Sequence, residues 1–161
     1  ESSYPDVPGW TDGDATASDS GVEEPSVGDA SDGSWIGFLR GDDAAVYQVT
    51  SFMINAGQDY TLTVDGRATS GGSGANLQLT MELFYDMDGV HTVLATQTVT
   101  LPDRVSPYPF ETFSLMLESE NIPSAAMGNP IGIKFDNVSS GTWIGIDNVI
   151  QGVVTQHTSQ L

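Results

Sequence analysis

The sequence predicts an all-β protein, an antiparallel β-sandwich or jelly roll of about eight or nine strands. Apolar and polar residues alternate along most of the chain after Ser34, which is the period of a strand with one buried face. Glycine- and proline-rich turns separate the alternating segments at short intervals, as in sandwiches. With 161 residues, the chain has the size of one domain.

The predicted strands follow one another from Trp35 to Ile150. The clearest is 77–83 (LQLTMEL), whose apolar side chains share one face. Asp88-Gly89 predicts a tight hairpin, because glycine tolerates the positive φ of a primed turn. A short helical turn fits at 124–127. The other strands are predicted at 35–39, 46–54, 60–65, 93–101, 113–117, 131–135 and 143–150.

Composition divides the chain into three parts. Residues 1–33 are acidic and rich in Gly, Ser and Asp, which predicts loops. Residues 34–150 form the predicted sandwich core and belong to one domain with that segment. Residues 151–161 form a predicted C-terminal tail beyond the last strand.

The charge excludes several partners. The net charge is −18, and residues 1–43 carry eleven acidic residues against one base, Arg40. Such a chain repels phosphate backbones, so we expect no nucleic-acid binding. No apolar run approaches the roughly 20 residues that cross a bilayer, so no membrane insertion is predicted. There is no cysteine, which excludes disulfides and thiolate chemistry.

A search for catalytic motifs predicts that the protein is not an enzyme. The sequence has no Gly-x-Ser-x-Gly elbow, no phosphate-binding glycine loop and no His-Glu-x-x-His. Its two histidines, His91 and His157, lie after a turn and in the tail, so neither is expected to be a buried general base.

Five short segments carry a resemblance to a known family. They are 7–11 (VPGWT), 32–39 (DGSWIGFL), 46–49 (VYQV), 56–64 (AGQDYTLTV) and 145–149 (GIDNV). Together they resemble the galactose-binding-like jelly-roll domains of bacterial carbohydrate-binding modules and of secreted PEP-CTERM-type proteins. The resemblance implies a jelly roll and an extracellular location. The start at Glu1 without methionine also suggests a processed, secreted chain.

The same resemblance implies a structural calcium ion between the N-terminal segment and the last strand. The ligand position carries over to Asp147. Asp32, in the Asp-Gly-Ser-Trp loop, is a second candidate, and Glu1 is a third if it closes the first strand. Acidic, glycine-rich loops supply the hard oxygens that calcium prefers.

Four aromatic residues are candidates for stacking on a sugar ring. Trp10 and Tyr108 lie in proline-flanked loops, where a core role is less obligatory. Trp35 and Trp143 alternate with glycine on predicted strands, so a core role is at least as favoured for them.

Two functional hypotheses follow. The first is a non-catalytic extracellular carbohydrate-binding module that binds a polysaccharide or glycan and is stabilised by calcium. The alternative is a structural or adhesive subunit of an extracellular matrix, surface layer or fibre. Domains of the resembled family open with a strand that this chain lacks, whereas residues 151–161 extend beyond the last predicted strand. The alternative therefore includes self-assembly by strand exchange.

Overall fold

The computed structural model describes residues Ser3–Tyr4, 9–13, 20–26 and 28–155. Within these ranges the regular structure is eleven strands and two short 3₁₀ turns, Ser119–Asn121 and Ser124–Ala126. The second turn confirms the predicted helical turn. The strands are β1 (Ser3–Tyr4), β2 (Thr11–Asp12), β3 (Gly21–Glu23), β4 (Ile36–Arg40), β5 (Val46–Met53), β6 (Gln58–Ala68), β7 (Gln78–Met87), β8 (Val90–Thr100), β9 (Glu111–Leu117), β10 (Pro130–Asn137) and β11 (Trp143–Thr155).

The strands form two antiparallel sheets packed face to face. Sheet A has the order β1-β3-β4-β11-β6-β9, and sheet B has the order β2-β5-β10-β7-β8. The predicted all-β sandwich is confirmed. The observed strands exceed the predicted eight or nine because the acidic segment 1–33, predicted as loops, contributes the two- and three-residue strands β1, β2 and β3.

The core consists of the inward faces of β6, β7 and β10. Leu79, Met81 and Leu83 alternate along β7 and are fully buried, which confirms the predicted apolar face. Leu62 and Val64 of β6 meet them from the opposite sheet within one continuous cluster. Burial of each such side chain contributes about 1.5–3 kcal/mol to folding.

The turn between β7 and β8 has the predicted hairpin geometry. Asp88 and Gly89 have φ angles of 55° and 83°, both in the left-handed region that a primed turn requires. The turn sets Met87 opposite Val90, and the pairing continues from there to Gln78 and Thr100.

The last strand continues past the predicted boundary of the tail. β11 runs to Thr155, and its residues 151–155 pair with β6 from Leu62 to Gln58. Residues 151–155 therefore belong to the sandwich, because β6 is long enough to pair with them. Residues 156–161, and Glu1 at the other end, lie outside the described part of the chain.

A β-bulge interrupts β11. Asp147 lies opposite Asp65, but the next paired residue is Ile150, opposite Thr63. β11 thus uses one more residue than β6 over this step, and Asn148 takes a φ of 47° to absorb it. Because side chains alternate from face to face along a strand, one extra residue reverses which side chains point inward.

No helix within the described ranges has the length and apolar character of a transmembrane segment.

Candidate functional site

A cavity opens between the two sheets at one edge of the sandwich. The pairing of β4 with β11 ends at Ile146, and the pairing of β2 with β5 ends at Tyr47. Both β11 and β5 continue past these points, so their unpaired edges face each other across a gap. The gap encloses a cavity of about 670 Å³, which we call the intersheet cavity.

The wall of the intersheet cavity combines aromatic and aliphatic side chains with several polar ones. Trp10, Trp35 and Phe52 supply its aromatic surface, beside aliphatic side chains of β4, β5 and β11. The main polar side chains are Asp12, Gln48, Thr50, Asp147, Asn148 and Gln151. Small-molecule sites usually combine hydrophobic and aromatic side chains with polar groups that orient the ligand.

Two of the four predicted aromatic residues line this cavity. Trp10 packs against the core residue Phe135, with ring centroids 5.8 Å apart, and lines the same cavity as Trp35. Trp35 is 37% exposed, so its ring is reachable from solvent. The sequence placed these two tryptophans in separate elements, and the fold brings them together.

The other two predicted aromatic residues lie elsewhere. Trp143 is on the outer face of sheet A, 5.7 Å from the Phe38 ring, with the Arg40 guanidinium 5.6 Å from its centroid. Tyr108 has a φ of 61°, and its carbonyl accepts a hydrogen bond of 3.0 Å from Arg67 Nη1. Neither lines the intersheet cavity. A ligand-binding role for these four residues stays a prediction.

The predicted calcium ligands make a different contact from the one expected. Asp147 Oδ2 accepts the backbone N–H groups of Ser31 and Asp32 at 2.7 and 2.9 Å, and Asp147 Oδ1 accepts the N–H of Asn148 at 2.8 Å. Asp147 therefore accepts hydrogen bonds from the backbone of Ser31 and Asp32. A calcium-binding role for Asp147 and Asp32 stays a prediction.

The acidic groups described by the structure do not gather elsewhere either. Within the described ranges, no three His, Cys, Asp or Glu side chains converge as a metal-binding group would require. Glu1, the third predicted ligand, lies outside those ranges.

Asp65 lies on the outer face of sheet A, opposite Asp147 of β11. It accepts hydrogen bonds from the side chains of Ser31, Thr112 and Asn148. Burial raises the pKa of Asp65, but these three hydrogen bonds together outweigh it and hold the pKa below its ordinary value. The carboxylate is therefore kept ionised as the acceptor that fixes the loop over sheet A.

Arg67 completes this arrangement. It is only 2% exposed and donates to the carbonyls of Asp29 and Tyr108, with the Phe110 ring 4.4 Å from its guanidinium carbon. Burial lowers the pKa of Arg67, while Asp147 opposes this shift. We use the name sheet A anchor for Asp65, Arg67 and Asp147 together with the loop 28–32, which these three residues hold in place.

The outer face of sheet B carries a third polar and aromatic patch. His91 stacks on Phe84 at 4.2 Å and meets the edge of Tyr47 at 4.7 Å. The position of the Phe84 ring requires a glycine at residue 132, because the Cβ of any other residue there would lie 2.1 Å from that ring. The rings of this patch therefore pack on one another on the outer face of sheet B.

One carboxyl near that patch has a raised pKa. Asp136 is on β10 beside Lys134, which forms a 2.6 Å ion pair with Glu82. Burial raises the pKa of Asp136, Lys134 lowers it and Glu82 raises it further, so the net shift is upward. Asp136 therefore provides a carboxyl group outside the intersheet cavity, with which the carboxyl groups of the cavity wall can be compared in activity tests.

Comparison with known proteins gives the family. The family model described as HpiC1-like, HpiC1 cyclase, matches residues 1–150. The chain belongs to the HpiC1-like cyclase family. No curated protein matches it in sequence.

Solved structures share the fold of this family member. A cyclase from Fischerella sp. TAU in complex with 4-(1H-indol-3-yl)butan-2-one is 20% identical, with a TM-score of 0.74 over 97% of this chain and 90% of that one. The Stig cyclase Fisc from Fischerella sp. TAU is 18% identical, with a TM-score of 0.72 and the same coverage. A family 16 carbohydrate-binding module is 14% identical, with a TM-score of 0.58 over 90% and 91% of the two chains.

Membership of a cyclase family corrects several predictions. The predictions of a non-catalytic carbohydrate-binding module, of a matrix or fibre subunit, and of a protein that is not an enzyme are wrong. A polysaccharide or glycan partner is wrong for the same reason. The resemblance identified the jelly-roll architecture, which carbohydrate-binding modules share with these cyclases, and architecture does not determine activity. The extracellular location stays a prediction.

The polar residues of the cavity were missed as a site. Asp12 falls in the segment predicted to form acidic loops, and Gln151 falls in the predicted tail. Neither belongs to a motif with fixed spacing, because β2 and β11 are neighbours only across the cavity. A polar residue among apolar neighbours, as in Val-Ile-Gln-Gly-Val, was the one available signal.

Proposed function

We propose that the intersheet cavity is the active site of a cyclase that acts on a small, largely apolar heteroaromatic molecule. The observation that carries the proposal is the aromatic-lined cavity of about 670 Å³ with a carboxyl group in its wall. Sites for drug-sized ligands commonly measure about 300–1,000 Å³. The indole ketone in the Fischerella cyclase supports the choice of substrate class.

Asp12 is the proposed acid catalyst. It lies on β2 in the cavity wall, where its Oδ2 atom is buried. Protonation of a substrate carbonyl, imine or alkene by this carboxyl makes a carbon electron-deficient. A substrate π bond then attacks that carbon to form the ring, and a proton lost from the product returns to the carboxylate. The product is an isomer of the substrate, so no oxidant or reductant is consumed.

The two tryptophans of the wall suit this chemistry. Positive charge that develops during ring closure is attracted by the face of an indole ring, and the attraction strengthens when water is excluded. Trp10 and Trp35 both border the cavity. Asp147 borders it as well, but three backbone N–H groups occupy its oxygens, so we assign it a positioning role for the loop at 31–32.

This proposal assigns no role to the predicted calcium ion, because the described residues contain no cluster of three His, Cys, Asp or Glu side chains around which to build one. Addition of a chelator before a thermal melt tests the sequence-based expectation independently. A fall of several degrees in melting temperature would support that expectation, and an unchanged curve would remove it.

The test of the active site compares three carboxyl substitutions. Asp12→Asn should lower kcat/KM for cyclisation by about 10²–10⁴, the usual contribution of a general acid. Asp136→Asn should leave the rate within about threefold, and so should the matched control Asp88→Asn in the β7–β8 turn. The readout is formation of a product of unchanged mass from an indole with an unsaturated side chain. Loss of activity in Asp136→Asn with retention in Asp12→Asn would move the site to the outer face of sheet B.

A further inference from the structure

We propose that Gln151 recognises the polar edge of the ligand in the intersheet cavity. The ligand class is a neutral aromatic heterocycle that presents an N–H donor beside a carbonyl acceptor. This inference deepens the proposed function and rests on it for the location of the site. It is tested by binding alone, so its outcome does not depend on turnover.

The bulge in β11 places Gln151 on the inner side of sheet A. Gln151 lies opposite Leu62 of β6, which is fully buried. Paired residues of an antiparallel ladder project to the same face, so both side chains point into the sandwich. Its neighbour Ile150 lies opposite Thr63 and is 55% exposed. The polar side chain therefore faces inward and the apolar one outward, the reverse of the arrangement that burial favours.

The Gln151 amide has no partner of its own among the described residues. Its Nε2 and Oε1 atoms are both buried, and neither makes a hydrogen bond there. A buried polar group without a partner costs the folded protein free energy. Since Gln151 lines the cavity, a ligand can supply the missing partners.

The geometry of a primary amide defines the complementary ligand. Oε1 accepts one hydrogen bond and the adjacent Nε2 donates one, so a ring N–H next to a carbonyl matches both atoms at once. The carboxylate of Asp12 in the cavity wall disfavours an anionic ligand. The aromatic and aliphatic part of the wall disfavours any charged one.

The experiment measures binding of oxindole and of 2-indanone by isothermal titration calorimetry. The two probes have nearly the same shape, but 2-indanone has a methylene group where oxindole has its N–H. We expect the wild-type chain to bind oxindole about tenfold or more tightly than 2-indanone. Gln151→Met should bring the two affinities within about threefold of each other, because methionine keeps the length of the side chain and removes both hydrogen-bonding atoms.

A matched control lies across the cavity. Gln48→Met, on β5 opposite Ile133, should keep the preference for oxindole. Asp12→Asn should keep it too, so failure of the catalytic proposal is separable from failure of this one. A preference retained in Gln151→Met, a preference lost equally in Gln48→Met, or wild-type binding weaker than millimolar for both probes would overturn the assignment.

The melting temperature gives a readout that needs no ligand. Gln151→Met removes a buried amide without a partner, so the melting temperature should stay constant or rise by a few degrees. A fall of several degrees would mean that the amide stabilises the fold, and the assignment would then be wrong.

Discussion

The sheet A anchor and the intersheet cavity both place polar side chains in buried positions, but they treat them in opposite ways. In the anchor, Arg67, Asp65 and Asp147 all form hydrogen bonds with the loop that they hold, and each makes at least one more elsewhere in sheet A or its loops. In the cavity, both amide atoms of Gln151 lack a partner among the described residues. Satisfied polar groups fix the structure, whereas an unsatisfied one at a cavity is available to a ligand.

The largest effect on stability is expected when Arg67, the positively charged residue of the sheet A anchor, is replaced. Arg67→Met removes the donors to the carbonyls of Asp29 and Tyr108 and leaves Asp147 without its neighbouring positive charge. We expect a loss of about 3–5 kcal/mol in the free energy of unfolding, because two carbonyls lose a charged donor and each unsatisfied group costs about 1–3 kcal/mol. Urea denaturation measures this loss. Arg104→Met is the control and should cost less than about 1 kcal/mol; an equal loss in both variants would argue against the anchor.

A smaller effect, with a defined pH dependence, comes from Asp65→Asn. The pKa of Asp65 in the folded state lies below its ordinary value. Its contribution is therefore present above the unfolded-state pKa, near about 4, and is lost as the pH falls through the folded-state pKa. The variant should lose about 1–3 kcal/mol at pH 7. The two unfolding curves should converge below about pH 3. A difference that stays constant down to that pH would contradict the assignment.

The smallest effect is expected at a carboxyl outside both regions. The pKa of Asp136 is raised in the folded state, so its stabilising contribution is present below the unfolded-state pKa and is lost as the pH rises through the folded-state pKa. Asp136→Asn should therefore gain up to about 0.5 kcal/mol at pH 7 and nothing at pH 3. Thermal melts at the two pH values check the sign, which is opposite to that of Asp65→Asn.

Most of the fold was predictable because its signals are local. The alternation in 77–83 and the Asp88-Gly89 pair each determine their own structure within a few residues. The short strands β1, β2 and β3 were not predictable in this way, since two or three residues carry no measurable period. They form because neighbouring strands offer unpaired edges.

The candidate site was predicted only in part, for a related reason. Trp10 and Trp35 were predicted as candidates for stacking on a ligand, but their position at one cavity depends on where β2 and β4 begin and end. The inward direction of the Gln151 side chain was not predictable, because a bulge changes the direction of every later side chain in β11. The sequence carries no signal for that extra residue except Asp147-Asn148, a pair that tolerates left-handed backbone.

The family assignment was beyond the motif search. Catalytic motifs are recognised by spacing along the chain, whereas the proposed acid and the proposed recognition residue, Asp12 and Gln151, come from opposite ends of it. Such a site is identified from the fold and from family comparison, not from a local pattern.

The bulge at Asp147–Ile150 also bears on how this fold can acquire new specificities. A one-residue insertion or deletion at that point exchanges the two sets of side chains that β11 presents to the cavity and to the solvent, while the pairing of β4 with Trp143–Ile146 is left in place. Specificity can thus be altered by a single change in chain length, with no substitution in the lining. Engineering of this sandwich for other substrates can therefore begin with the number of residues in one strand.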